Sequence, residues 1–486
     1  MPNYSKQPII AIIGAGFSGM CMAIKLREAG YQHIEIYEKA DNVGGTWREN
    51  TYPGVACDVP SHLYSFSFAP KPDWSRVYSP GAEIQAYCEM VADDYDLKSL
   101  IQYGCELVKA VFKSGKWILS FADDREVIVD YFIGCIGGLH IPNYPDIKGA
   151  ESFKGQSFHS AEWDHGNDLE GKKVAVIGTA ASALQFIPEV VDKVAQLNIY
   201  QRTPNWIMPR AEGAYSEITK WLLVRMPLLA KILRLGIYLL HEIRVPLFRG
   251  NRFFAKRAEK MAQNHLATQV QDEALRAKLT PSYPIGCKRI LASDRYFPAL
   301  QQSHVSLVTE GIKEITPNGI TDIKGRERAV DVIIYATGFK PFDVASQTVI
   351  VGRDNQTLSD YMKDGIRAHR TVSMPGFPNY FTMLGPNSGL GHNSIILIIE
   401  AQAKYIVQAV DHAVARGASA VEAKVDATDA FNDKLQAELK DTVWAGNCKS
   451  WYQDEKGRIF TLWPRGTINF RGSLRKFDPA EYVFNS

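Results

Sequence analysis

Ile9-Ile10-Ala11-Ile12-Ile13-Gly14-Ala15-Gly16-Phe17-Ser18-Gly19 decides the fold. An apolar strand runs straight into three glycines at G-x-G-x-x-G spacing, and a helical run follows to about Ala29, where Gly30 stops it. A second strand, Ile34-Glu35-Ile36-Tyr37, ends in Glu38. Each glycine has its own reason: the tight turn at Gly14, backbone approach to a pyrophosphate at Gly16, close helix–strand packing at Gly19. The helix N-terminus then faces the phosphates. Strand, helix, strand and acid falling in register turn a weak motif into a strong one.

The same unit occurs again. Val174-Ala175-Val176-Ile177-Gly178-Thr179-Ala180-Ala181-Ser182-Ala183 is followed by Leu197-Asn198-Ile199-Tyr200-Gln201-Arg202. Glu38 stands 24 residues after Gly14, and Arg202 stands 24 after Gly178. A carboxylate at that point accepts hydrogen bonds from a free ribose, as in FAD or NAD, whereas an arginine suits the 2′-phosphate of NADP. One chain carrying both sites can hold FAD and the NADPH that reduces it.

Each half also carries a return strand ending in glycine: Val127 to Gly138 in the first, Val330 to Gly338 in the second. The expected fold is therefore α/β, with two Rossmann-like dinucleotide-binding domains, the second inserted into the first. The boundaries expected are 1–150 for the first part of the FAD domain, 155–330 for the NADP domain with a helical insertion at about 213–280, and 336–486 for the return segment and C-terminal region.

With 486 residues, 46% hydrophobic and 22% charged, the composition is that of a globular protein of two or more domains. The net charge of +2 gives no reason to expect a nucleic-acid partner. Cys21, Cys57, Cys88, Cys105, Cys135, Cys287 and Cys448 form no CxxC pair, which argues against a metal or dithiol site and fits a reducing, cytoplasmic setting. No cleavable signal precedes the first strand. Residues 215–250 alternate apolar runs with Lys220, Arg225, Lys231, Arg234 and Arg244, divided by Pro227 and Pro246. They are too interrupted to span a bilayer. The reading favoured is a helical insertion packed on the inner domain; the alternative is a cationic amphipathic surface lying on a membrane.

Between the two units, Phe153, Gly155, His159, Trp163 and Asp164 occupy every fixed position of FxGxxxHxxxW[P/D]. This resembles the fingerprint of Type I Baeyer–Villiger monooxygenases, within the flavin-containing monooxygenase family. Gly44-Gly45-Thr46-Trp47, Tyr52-Pro53-Gly54, Asp58 and Ser61 to Phe68 resemble that family's flavin-proximal segment. Tyr283 to Arg289 is similar to its catalytic loop, and Gly385 to Ser394 is also typical of flavin monooxygenases. The resemblance implies that NADPH reduces FAD, that O₂ adds to give a C4a-peroxyflavin, and that the peroxide attacks a ketone to yield an ester or lactone. It also implies that Arg289 is the active-site arginine, that Asp58 orients it, and that Lys288 joins Arg202 and Thr203 around the 2′-phosphate. Gly45, Thr46, Trp47, Asp58 and Tyr64 would border the flavin, and Gly178, Thr179, Ala180 and Ser182 the NADP. No metal is implied.

Physical chemistry supports the arginine independently. An anionic nucleophile and an adduct oxyanion need a fixed cation that cannot give up its own proton. The alternatives are an S- or N-oxygenating flavin monooxygenase, which uses the protonated hydroperoxide, and an uncoupled NADPH oxidase. A flavin protein without a competent NADPH site rests only on Ala180 and residues 215–250. Ala180 departs from the glycine expected there, and a methyl in a tight contact costs about 1–3 kcal/mol. His159 has no chemical step assigned and reads as a hinge residue; His392 reads as loop structure. The substrate class is left at ketone or sulfide together with O₂, because pocket residues come from loops without a motif.

Overall fold

The computed structural model describes residues 7–341, 348–446, 450–454 and 456–485. Two five-stranded parallel sheets carry the architecture. The first contains β1 (Ile10–Ile13), β2 (Ile34–Tyr37), β3 (Ile101–Gln102), β7 (Tyr131–Gly134) and β19 (Tyr380–Thr382), in the order β3-β2-β1-β7-β19. The second contains β8 (Gln156–His159), β9 (Lys173–Ile177), β10 (Gln196–Tyr200), β13 (Val305–Val308) and β17 (Val332–Tyr335), in the order β13-β10-β9-β17-β8. Laid over one another, the fingerprint strands β1 and β9 occupy the same place, each between the acid- or arginine-bearing strand and the return strand.

Helix α1 (Phe17–Glu28) follows β1, with the short α2 (Thr46–Glu49) and α3 (Gly81–Asp94) after β2. The long helix Ile395–Ala415 packs on α1, so the C-terminal third completes the first domain's core. Antiparallel strands β4 (Leu107–Lys113), β5 (Lys116–Phe121) and β6 (Glu126–Val129), joined by β18 (Val349–Val351), form a side sheet. In the second domain, β14 (Ile312–Thr316), β15 (Gly319–Asp322) and β16 (Glu327–Ala329) hold the corresponding place. The duplication read from the sequence therefore extends to the small sheet.

One detail differs. Val127 to Gly138 is not one strand but two, β6 and β7, in different sheets. The break falls at Asp130, whose carboxylate accepts from Ile9 N (2.8 Å) and Lys116 Nζ (2.8 Å). A charge that needs those donors cannot be threaded through an apolar sheet interior.

The domains are joined by two strands of backbone running side by side. Asn143 N donates to Gly338 O (2.9 Å) and Thr337 Oγ1 to Asn143 O (2.6 Å). His159, fully buried at the end of β8, lies against Tyr144 and Phe339 at this crossing, and its Nδ1 accepts from Ala161 N (3.1 Å). Burial lowers its pKa, so it is a neutral joint. The other fingerprint residues are packing as well. A side chain at Gly155 would overlap the Asp331 carbonyl, and Trp163 packs on Phe158 and Phe186.

After α4 (Ala181–Val190), the insertion is helical: α5 (Glu217–Arg225), α6 (Pro227–Glu242), α7 (Val245–Phe248), α8 (Arg252–Gln269) and α9 (Glu273–Leu279). The expectation that all of it packs on the inner domain is corrected for α6. Helix α8 does pack there, against β11 (Ile207–Met208) and α10 (Tyr296–Leu300). Helix α6 instead crosses to the first domain, because its polar side chains find partners there. Arg234 donates to His62 O (2.7 Å) and Ser65 O (2.9 Å). Glu242 accepts from Thr467 N (2.9 Å), Asn393 Nδ2 (2.9 Å) and His392 Nε2 (3.3 Å).

Burial pushes the Glu242 carboxyl up, but these donors outweigh it and hold its pKa down at about 2. A value below the unfolded one means that ionised Glu242 stabilises the fold above the ordinary carboxylate range and loses that contribution as pH falls toward about 2. Glu242→Gln is expected to lower the melting temperature at neutral pH by about 2 °C or more. The difference from the parent should shrink on acidification; a difference that grows below pH ~4 would contradict the assignment.

Candidate functional site

The first glycine turn forms because β1 ends against β7. Gly14 has φ +103°, and a side chain there would meet the Cys135 carbonyl at 2.7 Å. Gly178 repeats this with φ +108° against the Ala336 carbonyl. Only glycine fits either place. Gly16 is different: a Cβ there would find nothing nearer than Gly45 Cα at 3.7 Å. The cradle before α1 is therefore open, with Gly45 on its far side. Helix α1 has no side-chain cap at Gly16, which leaves first-turn amides for an anion.

Glu38 closes the turn. Its Oε2 accepts from Ala15 N (2.8 Å), and its Oε1 from Ala40 N (3.0 Å) and an Arg48 guanidinium nitrogen (3.1 Å). It is only 5% exposed, not a solvated strand end. The carboxylate is fixed beside the open cradle with further lone pairs available, as a ribose needs. Trp47 Nε1 donates to the Tyr64 hydroxyl (3.2 Å), and Tyr64 packs edge-on to Phe17, so Thr46, Trp47 and Tyr64 form one wall beside the first turn of α1.

The second turn mirrors the first. Ala180 caps α4 with φ −85° and ψ −157°, against −80° and −169° at Gly16. The methyl group leaves the backbone path unchanged and projects from an exposed position. Asn205 Nδ2 ties down Thr179 O (2.8 Å), and Ser160 Oγ reaches Ser182 Oγ (3.0 Å). Arg202, at the end of β10, is exposed and Thr203 is half-buried. Lys288 lies over the Tyr283 ring, 4.8 Å from its centre. Burial and then the nearby Arg202 charge lower its pKa. Two cations are thus held close together with no carboxylate paired to either among the described residues, an arrangement suited to a dianionic phosphate.

Both cofactors named from the sequence therefore pass a test of fit: the FAD cradle on Gly16 and Gly45, and the NADP cradle on the repeated turn and the Arg202–Lys288 pair.

Where the two grooves approach, Arg289 meets Asp58. Arg289 Nε donates to Asp58 Oδ2 (3.0 Å), and a terminal guanidinium nitrogen contacts the same oxygen. Each side chain keeps roughly half its surface open, 48% and 43%. Burial acts to raise the Asp58 carboxyl, yet Arg289, with Arg210 behind it, holds it below the ordinary value, and Asp58 in turn raises Arg289. The pair is ionised and faces the cleft. Arg289 comes from the second domain and Asp58 from the first, so the contact spans the domain boundary.

Sequence reasoning missed three residues here. Arg210 is 7% exposed, donates to Cys57 O (3.0 Å) and lies on Tyr78. It holds the residue before Asp58 from behind. Gln185 on α4 accepts from the Tyr52 hydroxyl (2.8 Å) and donates to Ala56 O (2.9 Å), locking the second fingerprint helix to the Asp58 segment. Tyr452 lies close enough to raise the Arg289 pKa. Arg210 had a faint signal, a cation straight after a short apolar strand; Gln185 and Tyr452 had none. Among the cysteines, Cys21, Cys57, Cys88, Cys105 and Cys135 are buried free thiols, and Cys448 lies outside the described residues. Cys287, beside Lys288, is disulfide-bonded.

A family model described as flavin-binding monooxygenase-like matches residues 7–414. A Baeyer–Villiger monooxygenase of Pseudomonas aeruginosa is 44% identical over 485 residues, 99% of this chain and 92% of its own. One of Streptomyces coelicolor is 40% identical, over 97% of this chain and 92% of its own. Among solved structures, an OTEMO complex with FAD and NADP superposes with a TM-score of 0.88 at 26% identity, over 99% of this chain and all of that one. Match length, identity and fold agree with the two cradles: the chain belongs to the flavin-binding monooxygenase-like family and is one of its Baeyer–Villiger-type members.

Proposed function

We propose that this protein uses NADPH and O₂ to insert one oxygen atom into a ketone, giving an ester or lactone, with Arg289 and Asp58 as the working pair. The observation that carries this is the half-exposed, ionised contact between Arg289 of the second domain and Asp58 of the first. FAD, reduced by NADPH, supplies the activated oxygen. Gly14, Gly16, Gly19 and Glu38 bind it, bordered by Gly45, Thr46, Trp47, Asp58 and Tyr64. Gly178, Thr179, Ala180 and Ser182 hold the NADPH pyrophosphate, and Arg202, Thr203 and Lys288 its 2′-phosphate. Arg289 provides permanent positive charge where negative charge gathers on oxygen. Asp58 orients the guanidinium, and Arg210 fixes Asp58 by holding the Cys57 carbonyl. Because Lys288 and Arg289 are adjacent, NADPH engaged by one side chain positions the other. A cytoplasmic location is part of this reading. S- or N-oxygenation is the second reading, but a proton-holding arginine at the cleft favours the anionic oxidant a ketone requires. A ketone panel with product mass analysis under NADPH and O₂ separates them: esters support the proposal, and sulfoxides with no ester from any ketone overturn it.

NADPH should be preferred over NADH, with each charged contact to the 2′-phosphate worth about 1.5–3 kcal/mol. Arg202→Ala should therefore erode kcat/KM for NADPH by about tenfold or more while leaving NADH nearly unaffected. Equal kcat/KM for the two cofactors in the parent would contradict the assignment.

Ala180→Gly should tighten NADP binding or leave it unchanged, since the backbone already follows the glycine path and only a methyl is removed. A clear loss of affinity by titration would mean that the loop relies on that methyl.

Arg289→Ala should cut oxygenation by about 10²–10³. Flavin reduction needs no such cation and should survive, so the variant would oxidise NADPH and release H₂O₂. Asp58→Ala should show a milder form of the same uncoupling. Arg289→Lys should not rescue fully, since lysine lacks the planar fork. Stopped-flow reduction with peroxide and ester yields reads all three; undiminished ester formation by Arg289→Ala would remove it from the mechanism.

A further inference from the structure

Among the described residues, the helical insertion leaves one apolar face without a partner. On α6, Leu228, Ile232, Leu235, Leu239 and Ile243 follow at steps of four, three, four and four, and each is between 45% and 71% exposed. That spacing sets them on one side of the helix. On α5, which packs against α6, Trp221 is 59% exposed. Ile468 joins Leu239 and Ile243 in lining an adjoining groove. The helix cannot turn this stripe inward. Its other side is held by Arg234 on the His62 and Ser65 carbonyls and by Tyr238 against Leu63 and Leu397, and its C-terminal end is pinned by Glu242 on the 392–393 and 467 segments.

Charge decides what covers it. Residues 217–260 hold ten Lys or Arg and three Glu, a net +7, in a chain whose total is +2, so the remainder is net −5; Glu217 is paired with Lys220 (2.6 Å). Arg225, Lys231, Arg249 and Arg252 are exposed. Glu242 is turned inward, and the Glu259 carboxylate faces Ile285 N. A second copy seated here would set +7 against +7, which opposes self-association. A basic rim around an apolar helix face is the composition that suits an anionic lipid surface.

We propose that the α5–α6 surface docks this protein on an anionic phospholipid bilayer, the stripe of α6 lying at the headgroup–acyl boundary and the basic residues on the lipid phosphates. Helix α6, about 24 Å long at 1.5 Å per residue, lies in the plane of the membrane. No helix among the described residues is long and apolar enough to cross one, so the contact is peripheral. The proposal does not depend on what the enzyme oxidises.

The test is co-sedimentation of the FAD-loaded protein with vesicles of phosphatidylcholine alone and of phosphatidylcholine mixed with phosphatidylglycerol, with light scattering on the free protein. Binding to the mixed vesicles should exceed binding to the neutral ones by about tenfold or more and fall with added salt. Leu228→Gln, Ile232→Gln and Leu235→Gln combined should weaken it about a hundredfold with FAD content unchanged. Arg225→Gln with Lys231→Gln should weaken binding about tenfold, on mixed vesicles only. The proposal is overturned if the parent stays in the supernatant with mixed vesicles or if the triple variant binds equally well. It is also overturned if light scattering finds a dimer that the triple variant breaks, since a second copy would then be the occupant.

Discussion

The ion pair between Arg289 and Asp58 constrains everything else at the cleft. Its two members come from different domains, and each is half-exposed. An exposed pair of this kind contributes little to stability. Its effect is positional: it fixes one guanidinium relative to both grooves. Supporting residues converge on the same few atoms. Arg210 holds the Cys57 carbonyl, Gln185 holds Ala56 from the second fingerprint helix, and Tyr452 approaches Arg289 from the C-terminal region. Three distant stretches of chain are used to aim one side chain, which is what an electrostatic site requires if it is to act without reorganising.

Duplication explains how two cofactors can be brought together at all. Four strands of each sheet follow the same order, the edge strands β19 and β8 entering from opposite ends of the chain, and both glycine turns press on the carbonyl just past their return strand, Cys135 in one case and Ala336 in the other. Each domain therefore presents its helix N-terminus at the carboxyl edge of its sheet. The fingerprint between the turns serves the joint and not the chemistry. Gly155 permits close approach of backbone, Trp163 fills a gap beside α4, and neutral His159 packs between the two linkers.

Much of this was legible in local pattern. A buried strand, a glycine turn and the residue that follows the next strand all lie within 30 residues of one another, so spacing alone singles out Glu38 and Arg202. Lys288 and Arg289 stand out by the likeness of residues 283–289 to the family's catalytic loop, not by spacing. What pattern did not reveal depends on tertiary contact. Gln185 looks like any polar residue on a helix, and Tyr452 is 163 positions away from Arg289. The break at Asp130 was hidden because the apolar residues on either side continue one another, and only the donors Ile9 N and Lys116 show why the chain turns. The direction of α6 was hidden for the same reason. A helix with an apolar stripe is expected to bury it, and periodicity does not say which face wins.

In α6 the polar side wins, and magnitudes explain it. Arg234 and Glu242 are charged groups that each make several hydrogen bonds, and bonds to charged groups are worth about 1.5–3 kcal/mol apiece. Turning the helix over would send both charges into water but leave their partners, the His62 and Ser65 carbonyls and the Thr467 amide, without hydrogen bonds, at about 1–3 kcal/mol for each one left buried. Burying the leucine stripe would return about 1.5–3 kcal/mol per fully covered side chain, but only where a matching apolar surface exists. The surface beneath α6 is mostly the His62 and Ser65 carbonyls, Asn393 and the Thr467 amide, and its one apolar patch, Leu63 with Leu397, is already covered by Tyr238. The exposed stripe is thus the consequence of a polar seat, and the same seat ties the insertion to the 392–393 segment of the flavin domain. The helix that carries the apolar face outward is also the one that fastens the two domains across the cleft.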